Sequence, residues 1–152
     1  MRVHVYDAGV QTPTTLTDVA PDVPAVEVLK VEIGEVIVTA AGVTEIDTTI
    51  TIGEILGVAG GHVVKHPCRQ VGVTVRYTSV QHTFELTPST LLRTVLQDAV
   101  TQFGIDPDQA ASLTLRQAGN AVTELSDVLP IGALTTECAL VLDLGHIVRP
   151  QG

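Results

Sequence analysis

The chain has 152 residues, of which 45% are hydrophobic and 3% aromatic, and its formal net charge at pH 7 is −9. This length accommodates one domain or two small ones with an aliphatic core. The negative charge argues against binding to nucleic acid or to anionic membranes. The sequence shows neither the ~18-residue apolar run of a membrane span nor a signal peptide.

The first half of the chain is rich in valine and threonine, which favour strands. Residues 1–6 alternate, which predicts a strand with Val3 and Val5 facing inward. Asp22 is a candidate cap for a short helix. The further elements predicted here are a hairpin partner at 11–19, a helix at 23–31, a strand at 35–39, a turn at Ala41 and Gly42, a strand with a loop at 46–52 and a last strand at 62–65.

The second half begins with two alternating runs, 71–77 and 80–86, which only two residues separate, so they predict a hairpin. Thr87 and Pro88 begin a helix, because a hydroxyl residue caps the first turn and proline fixes a helical φ. Gly104 suits the left-handed residue that ends it. The apolar face of this helix, which we expect to pack on the sheet, comprises Leu92, Val95, Leu96, Ala99, Val100 and Phe103. Later elements are a strand at 112–116, a turn at 118–120, a short strand beginning at Val122, a compact loop at 125–134 and a last strand at 138–144.

Segment by segment, the second half resembles ubiquitin. The segments that carry the resemblance are 84–88, the helix, the run Gly-Ile-Asp-Pro-Asp-Gln at 104–109, Ala118 with Gly119, and the closing strand at 140–142. The resemblance covers about half of the chain and implies a β-grasp fold, in which one helix packs across a mixed sheet. The residue pattern favours the same layers, because one apolar helix face needs one apolar sheet face.

The first half repeats this order of elements. Ala41 and Gly42 follow its third strand as Ala118 and Gly119 follow the third strand of the second half. We therefore predict an α+β chain of two tandem ubiquitin-like domains, 1–66 and 71–144, with a linker at 67–70 and a flexible tail at 145–152. The arrangement most resembles the bacterial tandem modifiers that antiphage conjugation operons encode.

The side chains that could serve in catalysis or metal binding form no recognisable motif in the sequence. Cys68, in the linker, is expected to be exposed and Cys138 to be buried in a strand; as two thiols they favour a reducing cytoplasm. His62 and His66 bracket a predicted strand, so their spacing does not converge on a metal. No phosphate loop, nucleophile or acid–base pair stands out. The sequence therefore predicts a non-enzyme without a metal or a cofactor of its own.

The resemblance implies a partner-binding patch on the exposed sheet face, centred on the third strand. In the first domain this position is Ile37, which we expect to face outward between inward Val36 and Val38. In the second domain it is Thr114, and Asp143 is expected to face outward on the last strand. The second patch is therefore polar, and receptors that read an apolar patch are not expected to recognise it.

The tail lacks a helical period and acidic residues, and it ends on Gly152. In a ubiquitin-like protein such a tail implies that the carboxylate of the terminal glycine is activated for conjugation. An activating enzyme uses ATP and Mg²⁺ to adenylate the terminal glycine, the acyl group passes to an enzyme cysteine as a thioester, and an amine takes it as an isopeptide bond. Arg149, Pro150 and Gln151 are expected to be read by the activating enzyme. Gln151 stands where ubiquitin has glycine, which implies a dedicated enzyme.

Three functions remain open. The first is a covalent protein modifier in bacterial antiphage defence, whose partners are an activating enzyme, a conjugating enzyme, a deconjugating metalloprotease and target proteins. The second is a non-covalent ubiquitin-like adaptor in a secretion system or an assembling complex. The third is a sulfur carrier, against which two copies and a single terminal glycine count. Because Lys30 and Lys65 are the only lysines, any self-linkage is predicted at one of them.

Overall fold

A computed structural model of the chain describes residues 1–45, 47–119 and 125–147. The first half of the chain forms a five-stranded mixed sheet and two short helices, α1 (Ala25–Leu29) and α2 (Ile52–Leu56). The strands are β1 (Arg2–Asp7), β2 (Thr14–Leu16), β3 (Val36–Thr39), β4 (Gly42–Thr44) and β5 (Gly60–His66), in the order β2-β1-β5-β3-β4. The central pair, β1 and β5, is parallel.

The second half forms a four-stranded mixed sheet, two helices, α3 (Leu92–Gln102) and α4 (Pro107–Ala110), and a 3₁₀ turn at Ile131–Leu134. Its strands are β6 (Val71–Tyr77), β7 (Val80–Leu86), β8 (Leu113–Gln117) and β9 (Ala139–His146), in the order β7-β6-β9-β8. Here too the first and last strands, β6 and β9, are parallel and central. The predicted architecture, α+β with two tandem ubiquitin-like β-grasp domains, is confirmed.

Local sequence explains why most elements of the second half match their predictions, although helix α3 begins at Leu92 after Leu91, without the predicted side-chain cap at Thr87. The hairpin strands β6 and β7 have the predicted bounds, and Thr78 adopts a positive φ of 54° in the two-residue turn between them. Helix α3 buries Leu92, Val95 and Ala99 against the sheet. Gly104 follows with a φ of 65°, the left-handed conformation that glycine adopts without a steric penalty.

Leu96 and Phe103 of the predicted apolar face pack against this core but are only partly buried. Leu96→Ala is therefore expected to lower the free energy of unfolding by about 1–2 kcal/mol, below the range for a fully buried leucine. Urea denaturation measures the change, and Thr94→Ala, on the exposed face of the same helix, is the matched control. A loss above ~3 kcal/mol would place Leu96 among the fully buried leucines after all.

Three elements of the first half differ from the prediction. The predicted strand at 46–52 is wrong, because helix α2 begins at Ile52. Thr51 Oγ1 accepts from the Glu54 N–H at 3.2 Å while Glu54 Oε2 accepts from the Thr51 N–H at 3.0 Å. This capping box outweighs the strand propensity of isoleucine and threonine. The predicted turn at 41–42 leads into β4, and the helix predicted at 23–31 is shorter.

Two further predictions concern positions at the edges of the described ranges. The short strand predicted to begin at Val122 lies outside the described residues, as does Ile46. The last strand, predicted to end at Leu144, continues as β9 to His146, because Leu113 in β8 pairs with His146. The sheet therefore extends two residues into the segment predicted as a flexible tail.

The first sheet is covered on both faces. Side chains that alternate along its strands separate into two sets. Those packed with helices α1 and α2 are Val3, Val5, Ile37 and Val63. Those packed with the core of the second half are Tyr6, Val38 and Val64. The prediction that Ile37 faces outward is therefore wrong: its exposed fraction is 1%. Alternation separates the two faces of a strand but does not indicate which face meets the helix.

The two halves pack against each other at a seam, where the 3₁₀ turn Ile131–Leu134 meets the sheet face with Tyr6, Val38 and Val64. The turn residues Ile131, Gly132, Ala133 and Leu134 are all buried. The Gly9 N–H donates to the Gly132 carbonyl at 3.0 Å, and Ser89 Oγ donates to the Thr39 carbonyl at 2.9 Å. Because the turn contacts both β1 and β5, it occupies the sheet face that the helices of the first domain leave uncovered.

Candidate functional site

The partner-binding surface predicted for the first domain is the one that the seam covers. The sheet face with Tyr6, Val38 and Val64 belongs to the same apolar cluster as Ile131 and Ala133 of the second half. A receptor cannot reach these side chains without separating the halves. Ile37, on the opposite face, is enclosed with the helices. The first domain therefore offers neither Ile37 nor the covered face as a partner site.

His66, at the end of β5, is buried at the seam and bonds to residues of the linker and of the second half. Its ring is fully buried, Nε2 lies 2.8 Å from the Thr135 carbonyl oxygen, and Nδ1 accepts from the Cys68 N–H at 3.0 Å. Nδ1 is therefore unprotonated and Nε2 carries the hydrogen. Burial lowers the pKa of His66, although both hydrogen bonds and the nearby Glu35 act in the opposite direction. The neutral ring thus links the linker to the second domain.

This arrangement predicts a pH-dependent stability. The unfolded His66 titrates near 6.5 and its folded pKa is lower, so the unfolded state binds more protons as the pH falls below that value. The free energy of unfolding should be highest above pH 6.5 and decrease on acidification. Urea denaturation between pH 7.5 and 5 measures this slope, and His66→Gln should flatten it. His62→Gln should also flatten part of the slope, because burial and His4 lower the pKa of His62 as well, and the double variant separates the two contributions.

The two cysteines form a disulfide, which the prediction of two thiols missed. Cys68 is buried rather than exposed, and Cys138 precedes β9 and is exposed rather than buried. Their Cα atoms lie 5.6 Å apart, within the disulfide range. The parallel register of β6 and β9, in which Gly72 pairs with Ala139, brings the two cysteines together. The bond removes the thiol argument for a reducing cytoplasm, so the cytoplasmic location stays a prediction that rests on the resemblance alone.

The open face of the second sheet is polar, in keeping with the side chains that alternation assigns to it. Asp143 accepts two hydrogen bonds from Arg76, at 2.6 Å from Nε and 2.9 Å from Nη2, and it raises the pKa of that guanidinium. Thr74 and Thr83 share a hydroxyl hydrogen bond of 2.8 Å. Thr114, on β8, is half-buried. These side chains offer a partner directional polar groups, and their role in partner binding stays a prediction.

A cleft of about 640 Å³ lies between the halves. Its walls are mostly apolar, with Tyr6 and His62 on one side and Leu91, Arg93 and Pro130 on the other. Sequence reasoning missed this cleft, since its walls come from distant segments that meet only at the seam. His62 also stacks on His4, with ring centroids 4.7 Å apart. The two rings are neighbours because they are paired in the parallel register of β1 and β5.

Residues 1–45, 47–119 and 125–147 contain no group of three or more His, Cys, Asp or Glu side chains that could hold a metal ion. His62 and His66 do not converge, since one stacks on His4 while the other is buried against Cys68 and Thr135. Over the same ranges, no helix is both long and apolar enough to cross a bilayer.

The chain leaves the second domain at the far end of β9. This strand begins beside the disulfide and runs for eight residues, so its end lies roughly 25 Å from the linker at ~3.3 Å per residue. The Ile147 N–H donates to the Ser112 carbonyl at 2.8 Å, which ties the chain to β8 at the point of exit. Arg149, Pro150, Gln151 and Gly152 lie outside the described residues.

Two mixed sheets, each with a parallel central pair and a helix across one face, define a ubiquitin-like protein. A family model described as BilA ubiquitin-like domain 2 matches residues 72–147, half of the chain, and the chain belongs to this family. The predicted ubiquitin-like class is confirmed. Proteins of this fold are modifiers or adaptors, not enzymes, and the matched family is not a catalytic one. None of the curated proteins matches the chain.

Two solved structures are similar to the chain at low identity. One is the solution structure of the N-terminal ubiquitin-like domain in the 4931431F19Rik protein. The alignment spans 55% of this chain and 81% of that chain, at 15% identity and a TM-score of 0.42. A chain in the crystal structure of the pParkin-pUb-UbcH7 complex covers 51% of this chain, at 16% identity and a TM-score of 0.42. The aligned part is 23% of that second chain.

Proposed function

We propose that this protein is a ubiquitin-like modifier that becomes attached to target proteins through the carboxylate of Gly152. The observation that carries the proposal is its membership of a ubiquitin-like family whose model ends at residue 147, directly before a tail that terminates in glycine. The end of β9, roughly 25 Å from the linker, supports it, because the residues that precede the tail lie away from the linker to the first domain.

The chemistry proceeds in three steps on partner enzymes. An activating enzyme binds ATP and Mg²⁺, a carboxylate oxygen of Gly152 attacks the α-phosphorus, and pyrophosphate leaves. An enzyme thiolate then attacks the acyl-adenylate, which releases AMP and forms a thioester. Finally an amine of the target attacks the thioester carbonyl, the C–S bond breaks, and the amide forms as the enzyme thiol leaves. Glycine suits these steps, since it has no side chain to obstruct a narrow channel or shield the carbonyl.

The residues before Gly152 select the activating enzyme in this proposal. Arg149 supplies a cation in an otherwise acidic protein, and Pro150 favours an extended backbone. Gln151 replaces a second glycine and restricts the backbone further. An enzyme adapted to Gly-Gly tails is therefore expected to process this chain poorly.

The other partners follow from the same proposal. A conjugating enzyme receives the thioester, and a metalloprotease removes the modifier from its targets. The polar open face with Arg76, Asp143 and Thr114 is the recognition surface of the second domain. The likeness to bacterial tandem modifiers supports antiphage defence in the cytoplasm as the biological setting.

Deleting Gly152 tests the proposal directly. The full chain, incubated with its activating enzyme and Mg-ATP, should form an adduct on non-reducing gels that disappears with thiol reagent, whereas the chain lacking Gly152 should form none. Gln151→Gly keeps the terminal glycine and is the matched control, which should still be activated. Conjugates formed without Gly152 would contradict the proposal, and a full chain that forms no adduct would favour the non-covalent adaptor. A terminal thiocarboxylate, detected by mass spectrometry, would instead indicate a sulfur carrier.

A further inference from the structure

The acceptor side of conjugation depends on which amines of the chain are accessible. The sequence contains two lysines, Lys30 and Lys65, and the amine of Met1 is a third nitrogen nucleophile. An amine must reach the thioester carbonyl and lose a proton before it can attack. The surroundings of the three amines therefore decide where another copy of the chain can be attached.

Lys65 is enclosed by its neighbours. It lies in β5 with an exposed fraction of 8%, its Nζ is 2.9 Å from Asp7 Oδ1, and it donates to the Lys30 carbonyl at 3.3 Å. A reaction at Lys65 would require loss of the ion pair and displacement of a strand that is paired on both sides.

The amine of Met1 is also engaged. It donates to the Val19 carbonyl at 2.8 Å, and the Val19 N–H donates back to the Met1 carbonyl at 2.9 Å. This reciprocal pair fixes the first residue beside the segment that follows β2. An attack by this amine would break a half-buried hydrogen bond and unpair the start of β1.

Lys30 has the opposite environment. It follows helix α1 in the left-handed conformation, with a φ of 53°, and its side chain is exposed. Its backbone is fixed at both ends, because the N–H donates to Val26 and the carbonyl accepts from Lys65. The loop beyond it projects from the fold, as the full exposure of Ile33 shows. A bulky charged enzyme can therefore approach this lysine.

We propose that Lys30 is the acceptor amine when one copy of this chain is conjugated to another, an inference that rests on the proposed function. The neutral Nζ attacks the carbonyl carbon of Gly152 in the thioester on the conjugating enzyme. A C–N bond forms, the C–S bond breaks, and the enzyme cysteine leaves as a thiolate. The ammonium gives up two protons in all, one of which reprotonates the thiolate. The products are an isopeptide, a free enzyme thiol and one proton.

This assignment has a consequence for polymers. With one acceptor amine per copy, each added copy offers a single point for the next one. Polymers of this modifier are therefore unbranched and carry one linkage type, Gly152 to Lys30. Replacing Lys30 with arginine, which keeps the positive charge and removes the nucleophile, ends growth at a single copy on each acceptor site of a target.

Amine acylation tests accessibility without any enzyme. The folded chain is treated with an acetylating N-hydroxysuccinimide ester, and peptides are quantified by mass spectrometry. Lys30 should react at least about tenfold faster than Lys65, because Lys65 must wait for local opening. In denaturant the two should react alike, and Asp7→Ala should raise the reactivity of Lys65 in the folded chain. Equal rates in the folded wild type would overturn the assignment.

Conjugation with the purified activating and conjugating enzymes tests the transfer. The thioester on the conjugating enzyme reports the proposed function, and the dimer of the chain reports the acceptor. Lys65→Arg should keep the dimer, whereas Lys30→Arg should abolish it and leave the thioester intact. A thioester without any wild-type dimer, or a dimer that persists in Lys30→Arg, overturns the acceptor assignment alone. Absence of the thioester overturns the proposed function, and the acceptor role falls with it.

Discussion

Removal of the disulfide by the double replacement of Cys68 and Cys138 with serine should lower the free energy of unfolding by about 4 kcal/mol, since the bond closes a loop with a sequence separation of 70 residues. The cross-link restricts the unfolded chain, and its removal returns that conformational freedom. Urea denaturation at neutral pH measures the loss. Native contacts near Gly72 and Ala139 should survive, because β6 and β9 pair through the backbone.

Reduction of the wild-type chain is the control for the serine substitutions. Treatment with excess dithiothreitol should produce the same loss of stability as the double replacement and should have no effect on the double variant. A difference below ~1 kcal/mol between oxidised and reduced chains would mean that the bond does not constrain the unfolded state as the loop model requires.

Gly132→Val is expected to destabilise the seam by about 3 kcal/mol, at the upper end of the cost of overpacking a filled core. A Cβ at this position would lie 2.8 Å from Val64 Cγ1, 2.8 Å from Pro88 Cβ and 3.0 Å from the Pro88 carbonyl oxygen. The backbone oxygen cannot rotate away, so the turn and the first sheet must move apart. The expected result is a lower thermal midpoint and faster hydrogen exchange in β5.

Gly145→Ala is the control for the Gly132→Val variant. It lies in β9, where an added Cβ would meet only Arg116 Nη1, at the ordinary contact distance of 3.5 Å. Its stability should be unchanged or slightly raised, because alanine reduces the freedom of the unfolded chain. If Gly132→Val proved as stable as Gly145→Ala, the seam would not be tightly packed in solution.

Local pattern was sufficient to predict most of the second domain. Its strands are long enough to show alternation over seven residues in both β6 and β7. Its helix carries an apolar stripe over eleven residues, and Gly104 marks its end. Each of these signals is a property of neighbouring residues, and tertiary contacts reinforce them without changing them.

The first domain was harder to predict because its elements are short and both faces of its sheet are buried. Helices α1 and α2 have five residues each, too few for a clear period. Thr51 and Glu54 carried a readable capping signal for α2, whereas nothing local distinguished the two faces of β3. The side of Ile37 depends on where the 3₁₀ turn of the other domain packs, and the disulfide depends on the register of β6 with β9. Neither is encoded in neighbouring residues.

The covered face of the first sheet also limits how many equivalent binding faces one copy of the protein offers to a receptor. Two modules joined by a flexible linker would present two equivalent faces, and a receptor with two sites would gain avidity from an intramolecular second contact. Here the turn at Ile131–Leu134 occupies one of those faces, so one copy of the chain is monovalent toward a receptor that reads the open sheet. Under the proposed function, multivalent engagement then requires several copies on one target, and its strength reports the number of copies attached.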